Sequence, residues 1–316
     1  MAHKVLVCDK LADEGVQILA RAGDVDVLDA PPSEDALCEM VPPYHALVVR
    51  SATKVTAPAI AAAAQLRIIG RAGTGVDNID VAAATERGVI VVNCPGGNSM
   101  AAAEHAIAMM MALARHVPQA NASMKAGEWR KNDFMGTELY HKTLGIIGVG
   151  RIGSLVAQRA RGLEMHVLAC DPLLTPARAA ELGVEQVEMQ QLLQRSDYVT
   201  LHAARTPETL NLIGEHELAL MKPSARLINC ARGGIVDEAA LHRALHTGAI
   251  AGAALDVFGT EPPGESPLLS LDNVIATPHI GASTQEAQVN VAVDVAEQIV
   301  EVLAGGKPRS AVNAPA

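Results

Sequence analysis

The amino-acid sequence predicts an α/β protein made of two doubly wound parallel sheets. Three observations predict it: short unbroken apolar runs alternate with helical stretches, one strand-to-helix junction carries spaced glycines, and a Pro/Gly-rich break divides the alternation into two series. Strands covered on both faces read as continuous Val/Ile/Leu/Ala runs, and their alternation with helices belongs to parallel sheets.

In order, the first series offers KVLVC, ALVV, RIIG and VIVV as four strands, with the alanines at 59–64 as ordinary helix. The break is NCPGGNS, Asn93–Ser99. An Ala/Met-rich helix is expected over 100–117; Glu104, His105 and Arg115 interrupt its apolar face, which suits a buried helix and not a membrane span. The second series offers TLGII, HVLAC, DYVTL, ARLIN, IAGAAL and NVIA. Thr175-Pro176 starts a helix that Gly183 closes, and STQE at Ser283–Glu286 reads as a capping box opening a long helix that runs to 303 and stops before Gly305-Gly306. That helix follows the last strand of the second series and is expected to return to the first. The expected domains are 1–96 completed by 285–316, and 97–284.

The length of 316 residues suits about two domains, and 49% apolar with 19% charged residues is a globular balance. One Trp, three Tyr and two Phe leave little for base stacking, and a net charge of -10 disfavours nucleic acid and anionic membrane as partners. An anionic substrate therefore needs a local basic cluster. The apolar run near the N-terminus is too short for a signal-peptide core. Cys8, Cys38, Cys94, Cys170 and Cys230 show no CxxC spacing, so they read as core filler in a reducing cytoplasm, without a metal.

TLGIIGVGRIG places Gly148, Gly150 and Gly153 between a strand and a helix. The first glycine permits a tight turn, the second lets backbone approach a pyrophosphate, and the third lets the helix pack against the strand, with the anion at the helix N-terminus. Asp171 ends the next strand, 18 residues beyond Gly153, near the offset expected of a ribose-binding carboxylate. A carboxylate there repels a 2'-phosphate, so the expected cofactor is NAD and not NADP. Three later strand-to-helix loops carry Arg232, Glu261 and His279. That set suits hydride transfer at an alcohol carbon: His279 as acid/base, Glu261 orienting it, Arg232 gripping a carboxylate. The structural alternative is an Arg232–Glu261 ion pair with a bystander histidine.

RAGTGVDNID, GVGRIG, NCARGGIVDE, LDVFGTEPP and TPHIGAST resemble the D-isomer-specific 2-hydroxyacid dehydrogenases over almost the whole chain. VVRSATKVT, FMGTELYHKTLGIIG and HIGASTQEAQVNVA resemble the members that oxidise 3-phosphoglycerate. The resemblance implies two Rossmann-like/flavodoxin-like doubly wound parallel-sheet domains with the active-site cleft between them, a discontinuous substrate-binding domain, and a homodimer, with a tetramer as the alternative. It implies catalysis by Arg232, Glu261 and His279. Arg151, Ile152, His202, Ala231 and Asp256 join the glycines and Asp171 in holding NAD, with Asp256 on the nicotinamide carboxamide. Arg50, Ser51, Arg71, Thr74 and Gly75 are expected to bind a phosphorylated 2-hydroxy acid. Two stretches depart from the family pattern: Ala203-Ala204 stands where Thr-Pro is usual, and GEWRKNDF is less basic than usual, which leaves open whether Arg130 or Lys131 reaches the substrate. A glycerate or hydroxypyruvate reductase of the same family, or an NAD-sensing corepressor-like binding protein, are the alternatives. The sequence stops at KPRSAVNAPA, where many such dehydrogenases continue into serine-binding regulatory domains; the expectation is a catalytic core indifferent to serine.

Overall fold

The computed structural model describes residues 3–314. The chain divides into two compact units, Met1–Ser99 with Ala282–Ala316, and Met100–Gly281. In chain order the first unit holds β1 (His3–Val7), α1 (Asp13–Leu19), β2 (Gly23–Val27), α2 (Glu34–Met40), β3 (Ala46–Val49), α3 (Ala57–Ala62), β4 (Ile68–Arg71), α4 (Val81–Glu86) and β5 (Ile90–Val92). The second opens with α5 (Ser99–Ala114), α6 (Val117–Lys125), β6 (Thr143–Ile147), α7 (Arg151–Gly162), β7 (His166–Cys170), α8 (Pro176–Leu182) and β8 (Glu185–Gln186). It continues with α9 (Met189–Arg195), β9 (Tyr198–Leu201), α10 (Glu215–Leu220), β10 (Arg226–Asn229), α11 (Glu238–His246), β11 (Gly252–Leu255) and β12 (Val274–Ala276). Finally α12 (Gln285–Leu303) returns to the first unit.

The first unit has a five-stranded parallel sheet in the order β2-β1-β3-β4-β5. Successive side chains of a strand face opposite ways, so Val5 and Val7 enter one core with Leu19, Val295 and Ile299 of α1 and α12, while Leu6 enters the other with Leu37 and Ile60 of α2 and α3. The sequence suggests four strands here and the structure has five. The fifth, β2, reads GDVDV: as a half-exposed edge it alternates acid and valine instead of forming an apolar run. The long helix is capped by Thr284, whose hydroxyl accepts from Ala287 N at 3.1 Å, one residue later than the capping box suggests. After α12 the chain crosses back to β5. Arg309 pairs with Asp294 and Glu297 on the helix, Val312 N donates to Val91 O at 2.9 Å, and Asn313 accepts from Val91 N at 2.8 Å.

The second unit has seven parallel strands in the order β12-β11-β10-β9-β6-β7-β8. Strand order reverses between β6 and β9, which puts the topological switch point at the end of β6. Leu144 and Ile146 of β6 face a core with Met110 and Leu113 of α5, and Ile147 faces the other with Leu192, Leu218 and Leu241. β8 escapes sequence reading because its two residues, Glu185 and Gln186, are both exposed. The helix expected over 100–117 is α5 and ends earlier, at Ala114: His116 turns left-handed at φ 52, and a separate helix, α6, begins at Val117 with Pro118 in its first turn. Proline fits the first turn of a helix because its missing N–H is not needed there. No helix among the described residues is long and apolar enough to cross a membrane.

Candidate active site

The glycine turn stands at the switch point. Gly148 takes φ 88, open to glycine at little cost, and a Cβ there would lie 2.8 Å from the His202 carbonyl carbon, so the end of β9 requires a bare backbone at this position. A Cβ on Gly153 would come within 2.1 Å of Gly148 O, which is why α7 can begin so near the strand. On Gly150 a Cβ would meet nothing within 4 Å: the backbone there borders open space. No side chain caps α7, and its first turn carries no acid, leaving N–H donors and the positive end of the helix dipole for an anion. Arg151 and Ile152 form that turn, Arg151 exposed and Ile152 half-buried. Asp171 stands beside it, accepting from Val149 N at 2.7 Å and Leu173 N at 2.8 Å. Each carboxylate oxygen retains a further lone pair. A bare turn, an uncapped helix start and an adjacent acid fit a dinucleotide. His202 hydrogen-bonds Thr200 at 3.0 Å, and desolvation pushes its imidazole down to about 4, so it is neutral at pH 7.

Arg232, Glu261 and His279 follow β10, β11 and β12, at the same edge of this sheet. Asn229, buried at the end of β10, accepts from Ala231 N and donates to Arg232 O, shaping the loop that carries the guanidinium. Arg232 Nη1 donates to Ala231 O at 2.7 Å. A Cβ on Gly233 would overlap the Phe258 carbonyl, so this loop lies directly on the one that carries Glu261. Glu261 uses one oxygen to accept from Phe258 N at 3.1 Å and the other to meet His279 Nδ1 at 2.6 Å. With the carboxylate as acceptor, Nδ1 carries a proton, so in the neutral ring the lone pair lies on Nε2. The pair is accessible, His279 at 44% and Glu261 at 37% exposure, and it borders a largely apolar cavity of about 510 Å³ walled by Phe258, Pro262, Leu269 and Pro278.

Asp256 behaves differently. It is 1% exposed and bonded through both oxygens inside the unit: Oδ1 accepts from Thr277 Oγ1 at 2.6 Å and Ile280 N at 2.8 Å, and Oδ2 from Gly281 N at 2.8 Å, which leaves Oδ2 a further lone pair. His105 Nε2 lies 3.3 Å from Oδ1. Burial pushes its pKa up, but hydrogen bonds from His105, Thr277, Ile280 and Gly281 outweigh that and hold it below the ordinary value. Sequence reading missed His105 and Thr277 as partners; the only signal was a histidine on an otherwise apolar helix face.

In the first unit, Arg50 and Ser51 follow β3, and Arg71, Thr74 and Gly75 lie at and after the end of β4. Buried Asp9 accepts from Arg50 N at 2.6 Å, and Asn78 donates to the carbonyls of Arg50 and Thr53, fixing the loop. Arg50 Nε is buried without a hydrogen-bond partner, and burial lowers the guanidinium's pKa against the pull of Asp9. A buried donor left open in this way is costly, and an anionic ligand would satisfy it. Thr74 Oγ1 donates to Asn98 at 2.7 Å. Arg130 is exposed and already paired with Glu128 and Asp133. Burial raises the Cys8, Cys94 and Cys230 thiols, so they stay neutral.

Comparison with known proteins gives concordant results. Residues 107–281 match the model of the D-isomer specific 2-hydroxyacid dehydrogenase NAD binding domain. A D-3-phosphoglycerate dehydrogenase of Synechocystis is 57% identical over 99% of this chain and 56% of its own length; one of Archaeoglobus fulgidus is 52% identical over 99% and 59%. The chain thus spans little more than half the length of these curated relatives. Among solved structures, a Thermus thermophilus protein superposes with a TM-score of 0.91 at 34% identity, covering 98% of this chain and all of that one. A glyoxylate reductase from Paecilomyes thermophila gives 0.89 at 31% identity, covering 98% of each.

Proposed function

This chain belongs to the D-isomer-specific 2-hydroxyacid dehydrogenases, and on that premise we propose that it oxidises 3-phosphoglycerate to 3-phosphohydroxypyruvate, the entry step of serine biosynthesis, with NAD. The observation that carries the reading is the 2.6 Å Glu261–His279 pair at the edge of the sheet whose switch point holds the glycine turn.

Gly148, Gly150, Arg151, Ile152 and Gly153 would hold the pyrophosphate, Asp171 the ribose, and His202, Ala231 and Asp256 the nicotinamide end. Bound there, NAD would supply the acceptor for the hydride that leaves C2 of the substrate. His279 Nε2 receives the hydroxyl proton as the carbonyl forms, and Glu261, bonded to Nδ1–H, holds the ring in that orientation and offsets the charge it acquires. Arg232 grips the substrate carboxylate through two parallel N–H···O bonds and polarises the forming carbonyl. Arg50 and Arg71, with Ser51, Thr74 and Gly75, supply contacts for the remaining anionic group. Trp129, Met135, Met124 and Val117, exposed on the second unit, suit a homodimer surface, and the chemistry suits the cytoplasm.

The test is a panel of 2-hydroxy and 2-oxo acids, with and without phosphate, followed by NADH absorbance. The expected result is the highest kcat/KM on 3-phosphoglycerate. A preference for glycerate or hydroxypyruvate would favour the reductase reading, and NADH binding without turnover of any acid would favour the binding-protein reading. Light scattering reports the homodimer.

A further inference from the structure

His279 sits on a strained backbone: its φ of 53 is in the left-handed region, which a residue with a side chain keeps only if its surroundings fix it. The Glu261 bond orients the ring but does not hold the backbone, and the side chain is 44% exposed, so surrounding side chains do not enclose it. One bond within the loop, from His279 N to Thr277 O at 3.0 Å, closes its turn; the other groups that hold it lie beneath. Asp256 receives hydrogen bonds from Thr277, two residues before His279, and from Ile280 and Gly281, the two residues after. One buried carboxylate therefore clasps both flanks of the residue.

The clasp is braced from another element. His105 on α5 places Nε2 3.2 Å from Thr277 Oγ1 and 3.3 Å from Asp256 Oδ1. The Thr277 hydroxyl proton is already committed to Asp256 at 2.6 Å, so both atoms facing His105 are acceptors and Nε2 carries a proton. The ring thereby ties α5 to the loop after β12. Side chains that pin a catalytic group in this way govern rate more than affinity, because a displacement of an ångström at the reacting atom can cost about a hundredfold.

We propose that Asp256, Thr277 and His105 form an anchor that fixes the His279 backbone, with His105 and Thr277 as positioning residues that touch neither substrate nor cofactor. The proposal rests on the dehydrogenase reading only for the identity of the reaction; the anchor itself is a property of the chain.

The experiment compares Thr277→Val, which keeps shape and removes the hydroxyl, with Thr277→Ser, which restores it, and adds His105→Gln, which keeps an N–H donor and serves if the valine variant does not fold. Expected for Thr277→Val is a kcat about tenfold lower or worse with KM and the NADH Kd within about twofold, recovery in Thr277→Ser, and a smaller loss in His105→Gln. A second readout needs no turnover: by NMR of the wild type and variants with NADH, the His279 Nδ1–H should exchange with solvent faster in Thr277→Val and at the normal rate in Thr277→Ser. Unchanged exchange and unchanged kcat in Thr277→Val would overturn the anchor. So would an NADH Kd that weakens in step with kcat, since the cluster would then act through the cofactor. If the wild type oxidises no 2-hydroxy acid, the dehydrogenase reading fails while the exchange measurement still decides the anchor.

Discussion

The two sheets wind alike and differ at the same place. Each reverses strand order beside its first strand, β1 in one and β6 in the other, and so offers a crevice at that strand's carboxyl end. In the second unit that end is Gly148, followed by a helix whose first turn carries no acid. In the first it is Cys8-Asp9, followed by α1 with Asp13 and Glu14 in its first turn. The acids occupy the positive end of that helix and would repel a phosphate. The first unit instead offers its cations at the ends of β3 and β4, as Arg50 and Arg71. Winding creates the crevice, and the first few residues after the strand decide what it accepts.

In the proposed function the second unit would carry the chemistry and the first the anion recognition, and substitutions can separate the two. The largest effect is expected from His279→Ala, a fall in kcat of roughly 10²- to 10⁴-fold with NADH binding near normal by fluorescence titration; loss of NADH binding would make the histidine structural. Next, Arg50→Ala should raise KM for 3-phosphoglycerate by about ten- to a hundredfold, the worth of one charge-assisted contact. It should barely change KM for unphosphorylated 2-hydroxy acids, and an equal rise for both would refute the assignment. Asp171→Ala should narrow a preference for NAD over NADP of at least about tenfold in kcat/KM; equal use of both cofactors by the wild type would remove the argument.

Smaller effects concern stability. His202 stays neutral in the fold down to about pH 4, whereas the unfolded chain binds a proton below about 6.5. Protons therefore favour unfolding in that window: stability is retained above 6.5 and lost as pH falls toward 4. His202→Asn should flatten this part of a Tm-against-pH curve, and an unaltered slope would show that the imidazole is hydrated. Smallest of all, Asp13→Asn with Glu14→Gln should cost roughly 0.3–1 kcal/mol per charge in urea denaturation while leaving the NADH Kd unchanged.

How much could be read from the sequence follows the same division. The buried strands were legible because burial on both faces writes itself as unbroken apolar runs, and the glycine turn because its spacing, flanking strand and following acid agree. β2 and β8 were not: one alternates acids with valines at an edge, and the other is two exposed polar residues. The helix over 100–117 looked continuous because Arg115 and His116 are compatible with helix on paper, and the left-handed turn at His116 has no glycine to announce it. Arg232, Glu261 and His279 were legible as polar residues just beyond strands, and Glu261 as the residue orienting His279; the geometry of that bond was not, since it spans 18 residues and depends on how two loops lie. Asp256 was legible only through resemblance, and its partners His105 and Thr277 come from far apart in the chain.

The segment that crosses from α12 to β5 has a further consequence for the molecule in a crowded solution. A terminal strand with unpaired N–H and C=O groups is a template on which another chain can add itself. Ala311 bridges Val92 antiparallel, and the Asn313 side chain occupies Val91 N and donates to Val89 O, so the polar row along β5 is filled from within the same polypeptide. At the opposite border, β2 carries Asp24 and Asp26, charges that discourage an incoming strand. The five-stranded sheet is thus closed to self-association at one border by a tether and at the other by charge. Loosening the tether, for instance with Asn313→Ala, would be expected to show first as slow aggregation on storage, before any change in the rate of catalysis.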